Sequence, residues 1–196
     1  MSGVVTTIDN QAIPSFTHDG CLPPFVGTPT GLAGRAPYIV SMRDLVSDLN
    51  FSARRLEILT GFSALRRKLF LAGAIRGFQW IDGSFTTEKE EPGDIDLVTF
   101  YSVYENDQSV FISNLAGRGV DILDKASVKG MFHCDSYYVY MNDDPERIIS
   151  WTAYWLGVFC HDREKKWKGI LQIPLIQSAR QARLEYELIC RAGEGL

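Results

Sequence analysis

The most informative stretch of the chain, residues 80–98, reads WIDGSFTTEKEEPGDIDLV. It begins as a strand, breaks at Gly83-Ser84, continues through a charged loop of nine residues and re-enters a strand at Asp94-Ile95-Asp96. Side chains two apart on a strand point to the same face, so Asp94 and Asp96 are expected to lie together. Neighbouring carboxylates repel, and a fold tolerates them most readily around a divalent cation such as Mg²⁺ or Mn²⁺.

The Gly-Ser pair has the properties of a phosphate-binding turn. Gly83 permits close approach of a phosphate to the backbone, and Ser84 adds a hydroxyl and a main-chain N–H at an expected helix start. Asp-x-Asp and Gly-Ser are each common alone. The order strand, Gly-Ser, short charged loop and Asp-x-Asp strand is much more specific, and it predicts a metal–phosphate site.

Outward from this stretch, helices and strands alternate. The prolines of residues 1–40 predict an extended segment that wraps over the domain, followed by one α/β or α+β domain over residues 41–196. Strands are predicted at 78–81, 94–103, 132–141 and 168–175. Helices are predicted from Ser41, over 52–74, from Asn106 or Asp107 to 115, from the Asp144-Pro145 start to 160, and over 178–191. Residues 120–129 fit a helix or a loop.

Composition narrows the class of protein. A net charge of −4 argues against a large basic surface for nonspecific nucleic-acid binding. The four cysteines form no C-x-x-C pair, the three histidines are scattered, and no run of about 18 apolar residues could span a bilayer. We expect a cytoplasmic protein with reduced thiols and no membrane partner. A metal-dependent phosphohydrolase would need histidine ligands, and none lies near the motif.

Two side-chain clusters have structural interpretations. The basic residues of the 52–74 helix predict a solvated helix surface rather than a nucleic-acid grip; they are Arg54, Arg55, Arg66, Arg67 and Lys68. The aromatic residues of the 144–160 helix recur at helical spacing, which predicts core packing rather than a base-stacking platform; they are Trp151, Tyr154, Trp155 and Phe159.

Residues 78–100 resemble the signature of the DNA polymerase beta-like nucleotidyltransferase superfamily: a hydrophobic residue, Gly-Ser, a loop of this length, and Asp-hydrophobic-Asp. More narrowly, the chain resembles a bacterial group of uncharacterised nucleotidyltransferase-like proteins. Leu22-Pro23-Pro24 and the segment 167–170 (Trp-Lys-Gly-Ile) carry this second likeness. The resemblance implies a small mixed or antiparallel sheet flanked by helices.

The resemblance also implies a third carboxylate from a neighbouring strand. Asp135 and Asp121 are both candidates, and Asp135 is preferred because its strand is long enough to pair beside residues 94–103. Asp94, Asp96 and Asp135 would then be the catalytic residues and the ligands of Mg²⁺ or Mn²⁺.

Phosphate contacts follow from the same resemblance. Gly83 and Ser84 would hold the phosphates of a bound NTP, ATP included. Arg163 and Lys168 would add positive charge, or else be surface residues flanking a strand.

The implied reaction transfers NMP from an NTP to a hydroxyl of RNA, of tRNA or of a protein. Family resemblance suggests a toxin–antitoxin or phage-defence setting, with a cognate partner protein or a second subunit of a homo-oligomer. The alternative function is a catalytically silent binding or regulatory module that keeps the fold.

Overall fold

The computed structural model describes residues 12–28, 34–103 and 108–194, without the side chain of Ile75. The strands are β1 (Tyr38–Ile39), β2 (Ala74–Asp82), β3 (Ile95–Val103), β4 (Cys134–Tyr140) and β5 (Leu171–Pro174). The helices are α1 (Met42–Leu49), α2 (Ala53–Ala72), α3 (Gln108–Ala116), α4 (Lys125–Phe132), α5 (Pro145–Phe159) and α6 (Ala179–Glu194). A single 3₁₀ turn, Gly83–Thr86, follows β2.

In the described part of the chain, five strands form one mixed sheet in the order β1-β5-β2-β3-β4. β2 is antiparallel to both β3 and β5, whereas β3 with β4 and β1 with β5 are parallel pairs. Six helices of the described residues pack around this open sheet, and the predicted α+β class is confirmed.

The helix starts follow the capping signals of the sequence. Ser41 and Asp44 form a capping box at α1, Ser52 caps α2, and Asp144 caps α5 with Pro145 in the first turn. The ambiguous segment 120–129 resolves into a turn and α4, which ends at His133 in the left-handed region with φ 53°. β4 therefore begins two residues later than predicted. The cap predicted at Asn106 or Asp107 lies outside the described residues.

The two faces of the sheet are covered differently. One face buries side chains such as Ile81 and Leu97 against α2, whose apolar stripe includes Leu59, Phe62 and Leu65. The opposite face carries two registered rows, Phe78–Phe100–Val139 and Trp80–Val98–Tyr137, which pack under α5 through Trp155 and Phe159. This second face leads to the candidate site.

The described part of the N-terminal segment lies against the domain. Leu22 is buried and its carbonyl accepts from Gly169 N–H at 2.8 Å, while the Tyr38 hydroxyl donates to the Pro23 carbonyl at 2.8 Å. In the described ranges, no helix combines the length and the apolar character needed to cross a membrane.

Two arginines of α2 do not lie on a solvated surface, so that prediction is wrong for them. Arg55 and Arg66 are fully buried, whereas Arg67 is exposed as expected. Their planar guanidinium groups bond carbonyl and carboxylate oxygens across the core, which supplies the partners that a buried charge requires.

Candidate functional site

Three aspartates lie in one row across the end of the sheet. Asp82 of β2 is registered with Asp96 of β3, and Asp96 is registered with Asp135 of β4. Adjacent strands are about 4.8 Å apart, so the row places three carboxyl groups on neighbouring positions of one face. We call these three residues the carboxylate row. Asp94 stands just before β3, two residues from Asp96.

The two candidates for the third carboxylate fall in different places. Asp135 joins the carboxylate row, as its strand position predicts. Asp121 lies in the turn before α4, where its side chain accepts from Leu123 N–H at 2.9 Å. Asp82 was missed by sequence reasoning; its position next to Gly83, at the end of the first strand of the motif, was the available signal.

The turn after β2 fits only glycine. Gly83 has φ +82°, and a Cβ atom there would overlap the carboxylate of Asp96. The backbone of Gly83 therefore lies directly against one member of the carboxylate row. Ser84 follows, half buried, in the 3₁₀ turn, which is shorter than the helix start that the sequence predicts.

Lys168 reaches the row from the β5 side. Residue 171 of β5 is registered with Ile81, so the chain before β5 passes the end of β2. There the buried ammonium of Lys168 pairs with the buried carboxylate of Asp82. Burial raises the pKa of Asp82 to about 6 against the opposing charge of Lys168, and the nearby Asp96 adds to the rise.

Arg163, the other basic residue predicted near the phosphates, is exposed in the loop between α5 and β5. Within the described ranges no contact joins it to the carboxylate row. The structure thus brings Lys168 to Asp82, the residue before Gly83, and leaves Arg163 at the surface.

Two lysines of α4 approach the carboxylates from the β4 side. Lys129 Nζ pairs with Asp94 and lies 3.8 Å from Asp135. Lys125 Nζ lies 2.9 Å from Oδ1 of Asp135, in an ion pair outside hydrogen-bond geometry, and 3.6 Å from the centre of the Tyr137 ring. The hydrogen bond to Asp94 raises the pKa of Lys129. Neither lysine was identified from the sequence; their spacing of four on α4 places them on one helix face.

Asp96 shows the consequence of crowding the acids. Burial raises the pKa of Asp96, and the charges of Asp94 and Asp135 raise it further, while Lys129 and Lys168 oppose the rise. A positive charge close to Asp96 therefore stabilises the ionised form of these carboxylates.

Whether this site could hold a divalent cation depends on its donor atoms. As the side chains stand, no three acidic, histidine or cysteine groups of the described residues converge to hold a metal ion. Two of the acids are paired with lysines instead, Asp94 with Lys129 and Asp135 with Lys125. The donors themselves are carboxylate oxygens on adjacent strands, with ammonium ions standing in for the cation. In chemistry these oxygens suit Mg²⁺ or Mn²⁺, and binding would require Asp94 and Asp135 to turn from their lysine partners.

The loop between Ser84 and Asp94 is held by α2. Arg55 is buried under it and donates to four carbonyl oxygens, those of Leu49, Phe85, Thr87 and Lys89, at 3.1, 2.9, 2.5 and 3.1 Å. Arg54 Nε donates to the Pro92 carbonyl at 3.2 Å. Because both ends of the loop are tied to one helix, Gly83 and Asp94 keep a set separation.

The aromatic stripe of α5 is core only in part. Trp155 and Phe159 are buried as predicted, but Trp151 is 46% exposed and Tyr154 is 55% exposed. The prediction of core packing is wrong for these two. They flank Trp155, whose ring packs 4.3 Å from that of Tyr137, two residues from Asp135.

Comparison with known proteins adds one finding. A family model described as "Family of unknown function (DUF6932)" matches residues 14–174, which include every element from β1 to β5. A search of curated proteins found no match, and a search of solved structures found none either.

Proposed function

The chain belongs to a family of unknown function, DUF6932, and from its site we propose that it is a metal-dependent nucleotidyltransferase. It would transfer NMP from an NTP to a hydroxyl group. The observation that carries this proposal is the registered carboxylate row with the Gly83 backbone lying against Asp96. A glycine turn beside clustered carboxylates suits phosphoryl-group chemistry.

In this proposal the two ends of the carboxylate row have different tasks. Gly83 and Ser84 hold the phosphates at the β2 end, and Lys168 adds an ammonium there. Asp135 lies at the β4 end, two strand spacings away, where it would face the acceptor. A cation held by Asp94, Asp96 and Asp135 would supply positive charge at the α-phosphate and lower the pKa of the acceptor hydroxyl.

The transfer exchanges a phosphoanhydride bond for a phosphate ester bond. The acceptor oxygen forms a bond to the α-phosphorus while the bond from that phosphorus to the bridging oxygen of the β-phosphate breaks. Pyrophosphate leaves with the electron pair, and the hydroxyl proton passes to Asp135. Lys168 offsets the charge that develops on the leaving phosphates. The four cysteines are free, which fits the cytoplasmic location that we propose.

The proposal is tested with α-³²P-labelled NTPs, Mg²⁺ or Mn²⁺ and cell extract. We expect label transfer by the wild-type protein and a loss of at least a hundredfold in Asp96→Asn, because that residue is central in the row. Asp121→Asn is the matched control and should keep full transfer. Absence of transfer with all four NTPs, together with absence of metal-dependent NTP binding, would refute the enzyme.

A silent binding module is the second candidate, and one observation favours it. Lys125 and Lys129 neutralise Asp135 and Asp94 within the protein itself, so the cluster is tolerated without a metal ion. Isothermal titration with MgATP separates the two functions. An enzyme should bind MgATP in a manner that Asp96→Asn weakens, and a silent module should release no heat with either protein.

A further inference from the structure

Among the described residues β4 is the last strand of the sheet, and no strand pairs with its outer edge. Ile95 N–H donates to the His133 carbonyl at 3.0 Å and Met141 N–H donates to the Tyr101 carbonyl at 2.8 Å. In a parallel ladder the bonding residues alternate, so odd-numbered residues of β4 direct their backbone groups to β3. Even-numbered residues from Cys134 to Tyr140 direct N–H and C=O away from the sheet. No described residue bonds these outward groups.

α5 overhangs this edge with apolar side chains. Trp151, Tyr154 and Val158 follow at three- and four-residue spacing on one flank and are about half exposed. A cleft of about 320 Å³ lies between this flank and β4, lined by Tyr137, Tyr138, Trp151, Tyr154 and Trp155. The side chains of residues 137 and 138 point to opposite faces, so the cleft reaches the strand edge. We call this cleft, with the outer edge of β4, the edge groove.

The edge groove has the chemistry of a peptide site. Its lining contains no charged side chain, and α5 has none after Arg147. Lys125, whose ammonium lies 3.6 Å from the centre of the Tyr137 ring, is paired with Asp135. A nucleic-acid strand needs cations along its phosphates, whereas an extended peptide needs unpaired backbone groups and apolar pockets. The groove provides the second set.

Resting on the proposed nucleotidyltransferase, we propose that the edge groove binds the acceptor as an extended peptide segment, added to the sheet beside β4. A residue placed next to Asp135 brings its side chain to about 5 Å from that aspartate, Cβ to Cβ, on the same face of the sheet. A Ser, Thr or Tyr there presents its hydroxyl to the site. The residue two positions along lies beside Tyr137, under Trp151 and Tyr154, and is therefore apolar.

The acceptor class is thus a protein segment with a hydroxyl residue and an apolar residue separated by one position. Its side-chain oxygen bonds to the α-phosphorus, pyrophosphate leaves with the electrons of the broken bond, and Asp135 takes the proton. The added strand keeps the hydroxyl in place through main-chain hydrogen bonds. Sequence outside the two positions then matters little.

Binding is tested without nucleotide, by fluorescence anisotropy of two fluorescein-labelled decapeptide pools with the fixed cores Thr-Xaa-Phe and Phe-Xaa-Thr. One pool for each strand direction covers parallel and antiparallel addition. We expect one pool to bind and the double variant Trp151→Ala/Tyr154→Ala to weaken it about tenfold. Ile149→Ala, which changes a 68%-exposed residue outside the stripe, should leave it unchanged. Methylation of the peptide backbone nitrogens should abolish binding.

The same peptides separate this inference from the proposed function. A pool with Thr replaced by Ala should bind equally and accept no labelled nucleotide. Binding without transfer to any hydroxyl peptide would refute the role of the groove as the acceptor site. Metal-dependent NTP binding would then decide whether the protein is a nucleotidyltransferase. The groove assignment is overturned if neither pool binds, or if Ile149→Ala matches the double variant. It is also overturned if oligoadenylate binds there instead, or if the double variant only converts a dimer to monomers in sedimentation.

Discussion

Two buried ion pairs beside β2 are built in different ways. Arg66 and Glu185 have side chains 0% and 8% exposed, and Lys168 and Asp82 have side chains 8% and 9% exposed. The guanidinium of Arg66 holds both oxygens of Glu185 at 2.8 and 2.9 Å and also bonds the side chain of Gln79. The ammonium of Lys168 has one described hydrogen-bond partner, Asp82.

The difference separates a structural pair from one suited to a ligand. The guanidinium of Arg66 makes four hydrogen bonds, two of them to one carboxylate, so its charge is well compensated in the core. A lysine has three donors, and one acidic partner leaves capacity for a phosphate oxygen. The rise of the Asp82 pKa to about 6 agrees with this incomplete compensation. Equal burial therefore does not imply an equal role.

The largest loss of stability is expected from breaking the Arg66–Glu185 pair. Arg66→Met should lower the free energy of unfolding by about 3–5 kcal/mol, because Glu185 would remain buried without its partner. Urea unfolding followed by circular dichroism measures the loss. Arg67→Met, at the exposed next position, is the control and should change stability by less than about 0.5 kcal/mol.

A second variant sharpens the same test. In Arg66→Met/Glu185→Leu no buried charge is left, so we expect most of the lost stability to return. If the double variant were as unstable as the single one, the cost would come from lost packing or from Gln79, and the pair would not differ from Lys168–Asp82 in the way described.

The Lys168–Asp82 pair is tested by the pH dependence of the unfolding free energy. The folded pKa of Asp82, about 6, lies above the ordinary 3.8, so the native protein binds this proton more tightly than the unfolded chain does. Its contribution to stability is present below pH 4 and is lost as pH rises to about 6, a change of about 3 kcal/mol. Asp82→Asn cannot ionise, so the difference in unfolding free energy between it and the wild type should follow this curve. Parallel profiles from pH 4 to 7 would contradict the assignment.

How much the sequence could predict depends on how far apart the interacting residues are. The Gly83 turn, the strand that follows Asp94 and the caps at Ser41 and Asp144 are local, and the structure agrees with each. The fold class was predictable for the same reason. The 3₁₀ turn after Gly83 differs from the expected helix because the loop is drawn under α2 after one turn.

The remaining features depend on tertiary neighbours. Arg66 meets Glu185 from 119 residues away, and Asp82 meets Lys168 from 86 residues away. No local spacing encodes such partners, so a basic helix surface and a flanking lysine were the natural expectations. Helical periodicity identified the aromatic stripe of α5, but it could not show that the sheet beneath ends at β4 and leaves Trp151 uncovered.

The smallest effect on stability belongs to an exposed pair at the same site, Lys129 with Asp94. Lys129 is half exposed, so Lys129→Met should change the unfolding free energy by about 1 kcal/mol or less. Affinity for Mn²⁺ should instead rise about fivefold, since the ammonium no longer competes for the carboxylate. Electron paramagnetic resonance of free Mn²⁺ measures this without nucleotide. Lys68→Met is the matched control, because its ammonium bonds the Arg118 carbonyl and no acid. Weaker Mn²⁺ binding in Lys129→Met would mean that this lysine supports the metal site. A ligand could then replace the protein partner of a lysine only at Lys168, and not at Lys129.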